Sequence, residues 1–155
     1  MADEKTTKSL MAVLRSAGPA QIDDFLKENP ENENSFSDYM RSKFKEKGIK
    51  QQEVFTKINI SYGYGYKLIS GEKKTRQRDL IIEMCLTAGF SLNETQRALK
   101  LYQMAELYPK VSRDAVLIIA LNQDIREISQ VNTLLTEHGF EELYRAKEGL
   151  AEEGK

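Results

Sequence analysis

The stretch ISYGYGYKLISGEKK, Ile60 to Lys74, alternates three tyrosines with two glycines and then turns basic. Three conformations compete for it. A strand suits tyrosine, but no partner strand can be found nearby. A phosphate-cradling loop needs a fixed glycine spacing such as GxGxxG after a strand. Gly63, Gly65 and Gly71 do not supply that spacing. The third reading, a helix, agrees with the surroundings. Upstream, KQQEVFTKI places Val54, Phe55 and Ile58 on a short amphipathic helix. Asn59 tolerates the left-handed backbone of a tight turn better than most residues. Ile60 is placed for burial after that turn, and Ser61 can cap the next helix, which stops at Gly71.

Such a helix carries a cost. Each glycine inside it costs about 1 kcal/mol relative to alanine, so Gly63 and Gly65 together weaken it by roughly 2 kcal/mol, which packing must offset. Tyr62 and Tyr66 share a face at i, i+4, while Tyr64 lies on a different one.

Helical periodicity extends in both directions. Leu10, Val13 and Leu14 recur at helical spacing before Gly18. Pro19 stands near the start of a second helix with Ile22, Phe25 and Leu26 on one face. PENENSFS is polar and reads as a linker. Ser35 or Ser37 then caps a helix with Phe36, Tyr39, Met40 and Phe44 inward, ending at Gly48. Downstream come two helix pairs, RDLIIEMCLTAGF with LNETQRALKLYQMAEL and SRDAVLIIALNQD with IREISQVNTLLTEHG. No convincing strand is found. The tail AKEGLAEEGK reads as frayed.

The two pairs echo each other. The first begins at Arg78 and the second at Arg113, an offset of 35 that places Leu86 on Leu121 and Leu99 on Leu134. One leads into ELYPK and the other into ELYRA. Two stacked helical hairpins would produce this pattern, and so would ordinary hairpin patterning. The run Ala115 to Ile119 is apolar at five consecutive positions, more than one face can hold. It therefore reads as a core element, or as the interface of a homodimer.

The chain of 155 residues carries a net charge of −1 that conceals an asymmetry. Residues 1–34 hold 4 basic and 7 acidic residues, residues 35–79 hold 11 and 5, and residues 80–155 hold 8 and 12, giving −3, +6 and −4. A localised basic segment suits a polyanion, although a charge run is more often a solvated face. No apolar run approaches the ~20 residues that span a bilayer. The single Cys85 reads as a small core residue of a cytoplasmic protein. His138, the only histidine, precedes Gly139 at a helix end and reads as a cap. No catalytic pairing and no metal-ligand spacing appears, so an enzyme is not expected, nor is a cofactor.

From about Phe36 to Leu92 the order of residues resembles the lambda-repressor-like, or Xre, helix-turn-helix family. The matching residues are Gly48, Ile49, Gln51, Gln52, Glu53, Val54, Ile58, Ile60, Ser61, Leu68, Gly71, Lys73 and Lys74, followed by RDLIIEMCLTAGFSLNE. The resemblance implies an all-α fold: an N-terminal helical segment (1–34), a helix-turn-helix domain (35–92), a C-terminal helical-hairpin extension (93–148) and a frayed tail (149–155). It further implies a prokaryotic transcriptional regulator that binds double-stranded DNA. By resemblance, Tyr62, Gly63, Tyr66 and Lys67 meet base edges and phosphates. Gln51 and Gln52, at the start of the preceding helix, occupy phosphate-contact positions, Ser61 belongs to the same DNA-binding set, and Lys73, Lys74 and Arg76 flank the DNA backbone.

Three positions depart from the family pattern. Phe55 stands where a small alanine is usual, Asn59 where glycine is usual, and Gly65 where an aliphatic residue faces the core. The first and third compensate if the two side chains meet between crossed helices, because a core tolerates a large-for-small exchange at constant volume. Tyrosines are also poor major-groove readers beside Arg, Asn and Gln. The alternative is a degenerate motif that holds a protein partner through Tyr62, Tyr64 and Tyr66.

Overall fold

A computed structural model describes residues 7–29 and 35–144. The linker residues 30–34 and the tail 149–155 lie outside the described residues, as does the extension beyond 144. The fold is all-α: α1 Thr7–Ser16, a 3-10 turn Pro19–Gln21, α2 Ile22–Glu28, α3 Phe36–Lys47, α4 Gln51–Lys57, α5 Tyr62–Ser70, α6 Arg78–Thr87, α7 Leu92–Leu101, α8 Ser112–Asn122 and α9 Ile128–Glu137. Among the described residues no helix is long and apolar enough to cross a membrane. Residues 7–29 belong to one compact unit and residues 35–144 to another.

In the larger unit α6 is the spine. Its residues Leu80 through Leu86 are all buried, and α4, α7 and α9 pack against it. A helix buried on all sides has to be covered on all sides, and Glu83 within this run is enclosed along with the apolar residues. Cys85 lies in this core, where burial pushes its thiol pKa up. Six of these helices end the same way. A residue in the left-handed region follows α3, α4, α6, α7, α8 and α9 (Gly48, Asn59, Gly89, Gln103, Asp124 and Gly139). The next residue is apolar and its N–H reaches back five positions: Ile49 to Phe44 O, Ile60 to Phe55 O, Phe90 to Cys85 O, Met104 to Leu99 O, Ile125 to Ala120 O and Phe140 to Leu135 O. This closure satisfies terminal carbonyls and turns an apolar side chain inward at each corner. At α4 the left-handed residue is Asn59, φ 64°.

Ser35 caps α3 by accepting from the Asp38 N–H, which settles which of the two serines does so. At α7, Ser91 and Glu94 form a capping box. Glu94 also pairs with Lys43 at 3.2 Å and Lys47 at 2.9 Å, fastening α3 to α7. Burial pushes its carboxyl pKa up, but hydrogen bonds from Lys47, the Ser91 N–H and Lys43 outweigh it and hold the group at about 2. His138 caps α9, with Nδ1 2.8 Å from Leu134 O.

The sequence echo is a structural repeat joined by reciprocal contacts. Arg78 donates to Asp114 at 2.7 Å and to the carbonyls of Ala105 and Glu106. Arg113 donates to Asp79 at 3.0 Å and to the carbonyls of Glu141 and Glu142. The Tyr108 N–H donates to Asp114, and the Tyr144 N–H donates to Asp79. Gln96 receives the Leu107 N–H as Asn132 receives the Leu143 N–H. Such an exchange, in which i meets j and j meets i, is the signature of an approximate two-fold axis. The register corrects one expected pairing. The offset is 35 along α6 and α8 but 36 along α7 and α9, as the starts Leu92 and Ile128 show. Leu99 therefore corresponds to the fully buried Leu135 and not to Leu134. The extra residue falls in the turn of the second hairpin, where Arg126 donates to Phe90 O at 2.6 Å and to Asp124 at 2.6 Å.

The apolar run in α8 is only partly core. Leu117 is fully buried, but Ile119 is 58% exposed. Asp114 is nearly enclosed; burial pushes its carboxyl pKa up, and the hydrogen bonds from Arg78 and the Tyr108 N–H outweigh that and lower it. Arg78→Met should destabilise the protein by about 3 kcal/mol, because it leaves a carboxylate in the core facing no cation. Adding Asp114→Leu should recover part of the loss. Urea melts of both variants check this, and a double mutant as unstable as the sum of the single changes would contradict it.

Candidate nucleic-acid interface

The chain from α4 through α5 to Arg76 contains every residue that the sequence points to. Ser61 caps α5, accepting from the Tyr64 N–H at 3.1 Å, and Gly71 ends it in the left-handed region, φ 89°. Within the Ile60 to Lys74 stretch, Tyr62–Ser70 is thus a helix with a cap at each end. Its two glycines serve different ends.

Gly65 is buried directly beneath the Phe55 ring. A Cβ built at Gly65 would lie 2.6 Å from Cγ, Cδ1 and Cδ2 of Phe55. No real Cβ contact is so short, so the ring of α4 occupies the space that a side chain on α5 would need. The compensation expected from the two departures is present in the packing. Phe55 is fully buried, and it organises the exposed tyrosines as well. Tyr66 meets its ring edge-on, centroids 5.3 Å apart at 90°, and Tyr62 lies tilted at 6.5 Å. Aromatic pairs at these separations contribute about 0.5–1.5 kcal/mol each beyond area burial.

Gly63 differs. It is exposed, and a Cβ there would meet nothing within 4 Å. No packing among the described residues requires a glycine at that position.

The tyrosines divide as their spacing indicates, with one consequence for the partner surface. Tyr62 and Tyr66 are 46% and 42% exposed, whereas Tyr64 is fully buried among core side chains. Tyr64 therefore does not belong to an exposed contact surface with the other two. The hydroxyls of the exposed pair are tied to α4: Gln52 Nε2 donates to Tyr66 Oη at 3.0 Å, and Tyr62 Oη lies 3.4 Å from Thr56 Oγ1. Thr56 was not singled out by sequence. Its position one helical turn after Gln52 on α4 is the signal that could have found it.

The remaining positions vary in freedom. Gln51 opens α4 half-buried, with Oε1 enclosed and, among the described residues, without a hydrogen-bond partner. Lys67 and Lys73 are half-buried, and the Lys73 N–H donates to Lys67 O, which folds the segment after α5 back onto its last turn. Arg76 is exposed. The Lys74 ammonium sits 5.2 Å from the centre of the Tyr102 ring, a cation–π contact. Tyr102, also missed by sequence, accepts the buried Thr75 N–H at 2.9 Å and so anchors this basic segment to α7.

Of the 11 cations between residues 35 and 79, Lys43, Lys47 and Arg78 are engaged in ion pairs. The other 8 form no ion pair among the described residues: Arg41, Lys45, Lys50, Lys57, Lys67, Lys73, Lys74 and Arg76. Six of them, Lys50, Lys57, Lys67, Lys73, Lys74 and Arg76, run from the N-cap of α4 to the residues just after α5.

Comparisons with protein-family models, with curated proteins and with solved structures found no match for the chain.

Two outcomes test this packing. Phe55→Ala should cost about 3–5 kcal/mol. Gly65→Ala should also destabilise, although alanine is the better helix former by about 1 kcal/mol. In the Phe55→Ala background, Gly65→Ala should become stabilising. A denaturant double-mutant cycle reads this directly, and strict additivity would mean the ring and the glycine do not meet. Gly63→Ala, in contrast, should raise stability by about 1 kcal/mol, since it adds helix propensity and clashes with nothing. A drop in melting temperature would show that the glycine serves the fold after all.

Proposed function

We propose that the chain is a sequence-specific DNA-binding regulator of transcription, in which α4 and α5 act as a helix-turn-helix of the lambda-repressor-like type. The observation that carries this reading is the set of cations without ion-pair partners around α4 and α5, in a chain whose other segments are acidic. Such a segment is attracted to phosphates. In this reading α5 enters the major groove from its Tyr62 end. Tyr62, Tyr66 and Lys67 face base edges and phosphates, and Lys73, Lys74 and Arg76 follow the backbone. The glycine at position 63 supports a close approach. An exposed helical glycine that no internal packing requires leaves room for another molecule to come near the helix backbone.

One observation favours a second reading. The exposed tyrosines are fixed by Phe55, Gln52 and Thr56, which gives a rigid aromatic surface at low entropic cost. Such a surface suits a protein partner. In that case Tyr62 and Tyr66, without Tyr64, make the contact.

The two readings separate in a duplex-binding experiment. Fluorescence anisotropy with a random-sequence duplex at about 50 mM salt should show binding that weakens steeply by about 200 mM. Lys73→Ala and Arg76→Ala should each lower the salt slope by about 1 for any sequence. Tyr62→Ala and Lys67→Ala should reduce affinity for a selected site more than for random DNA. Gly63→Ala should weaken DNA binding while stabilising the fold. If no duplex is retained at ~50 mM salt, where a basic patch holds DNA even non-specifically, DNA binding is excluded and the aromatic surface becomes the one to pursue.

A further inference from the structure

The N-terminal unit carries helices without a core. None of the described residues 7–29 is buried. Its apolar side chains are large and open to solvent: Leu14 is 45% exposed, Ile22 54% and Leu26 60%. Together with Phe25 they line a cleft of about 380 Å³ between α1 and α2. A hairpin this short does not bury enough surface to hold its helices. Segments of this size normally depend on disulfides, a metal or association with another chain. The first 34 residues contain neither cysteine nor histidine. Association remains.

The charges say with what. α1 carries Lys8 and Arg15 and no acidic residue, a net +2. α2 carries Asp23, Asp24 and Glu28 against Lys27, three negative and one positive, a net −2. The hairpin is therefore complementary to itself: turned about a two-fold axis, the basic helix of one copy lies on the acidic helix of the other. We infer that residues 7–29 are a self-association element that pairs with the same hairpin of a second copy, closing a four-helix bundle over the Leu14–Ile22–Leu26 face. In that bundle α1 meets both α2 helices and the like-charged helices sit on diagonals. Each hairpin supplies the apolar cover that the other lacks. The inference does not rest on the DNA-binding reading, and its readout is a mass measured without DNA.

The experiment is sedimentation equilibrium on the full chain from about 1 µM to about 500 µM, a range that brackets the affinity of a small interface. The mass should rise from the monomer's 17.8 kDa to twice that value. Leu14→Asp and Ile22→Asp should each hold the chain at monomer mass over this range. The main unfolding transition, which reports the larger unit, should stay unchanged. Two charge variants identify the occupant. Asp23→Lys with Asp24→Lys makes both helices basic, and Lys8→Glu with Arg15→Glu makes both acidic. Each variant alone should associate at least about tenfold more weakly than the parent, and the two mixed should form a heterodimer. A parent chain that is monomeric at ~500 µM overturns the inference. So does a dimer that survives Leu14→Asp and Ile22→Asp, or a pair of charge variants that do not combine when mixed.

Discussion

A helix buried on every side constrains everything around it. Leu80 through Leu86 leave no polar stripe for solvent, so α6 must be enclosed, and the chain supplies the cover from both directions in sequence. From upstream comes α4. From downstream come α7, its hairpin partner, and α9 from the second hairpin. The Arg78–Asp114 and Arg113–Asp79 exchange then fixes how the second hairpin sits against the first. Each guanidinium also binds two carbonyls of the segment that closes its own hairpin, so one side chain ties a helix start, a chain crossing and a partner helix together. Removing a charge from such an arrangement costs more than its Coulomb attraction, because the groups left behind are short of partners.

Against that frame the pairing of α4 with α5 depends on one large-for-small exchange. Phe55 fills the space above Gly65 and at the same time packs perpendicular to the Tyr66 ring and tilted against the Tyr62 ring. The same ring therefore explains why a glycine is needed in the middle of α5 and why two tyrosines flank it on the exposed side. The glycine at position 65 belongs to the fold. The glycine at position 63 has no such neighbour among the described residues, so the two glycines of one helix differ in what the fold asks of them.

Much of this was legible because the signals were local. Caps, left-handed turn residues and the 3.6-residue apolar period depend on a few neighbouring positions, and they placed Ser61, Asn59 and Gly71 correctly. The Phe55–Gly65 contact was legible because two departures from a family pattern fell at facing positions. Less local features were not. Whether Tyr64 was surface or core depended on what lay across from it, which spacing within one helix does not say. The slip from offset 35 to 36 shows in the sequence only at the far end, where ELYPK and ELYRA stand 36 apart; that it falls at the turn between Ile125 and Ile128 follows from the helix starts and the turn hydrogen bonds. The hydroxyl partners Gln52 and Thr56 follow from how two helices cross, and the anchoring of Thr75 and Lys74 by Tyr102 spans 27 residues in the first case.

The two hairpins also show how the same apolar pattern can have different fates. With the offset of 35, Met84 on α6 corresponds to Ile119 on α8. Met84 is fully buried, while Ile119 is more than half exposed. The difference does not lie in the residues, since both are large and apolar. It lies in the neighbours: α6 has α4 against it in addition to its hairpin partner and α9, whereas the main neighbours of α8 are α7 and α9. Among the described residues α8 has no counterpart of α4 against it, and Ile119 faces water. The run from Ala115 to Ile119 thus follows the pattern of a central helix but occupies an outer one. This is why periodicity alone assigned it to the core, and why burial in a repeat is decided by which copy the rest of the chain packs against.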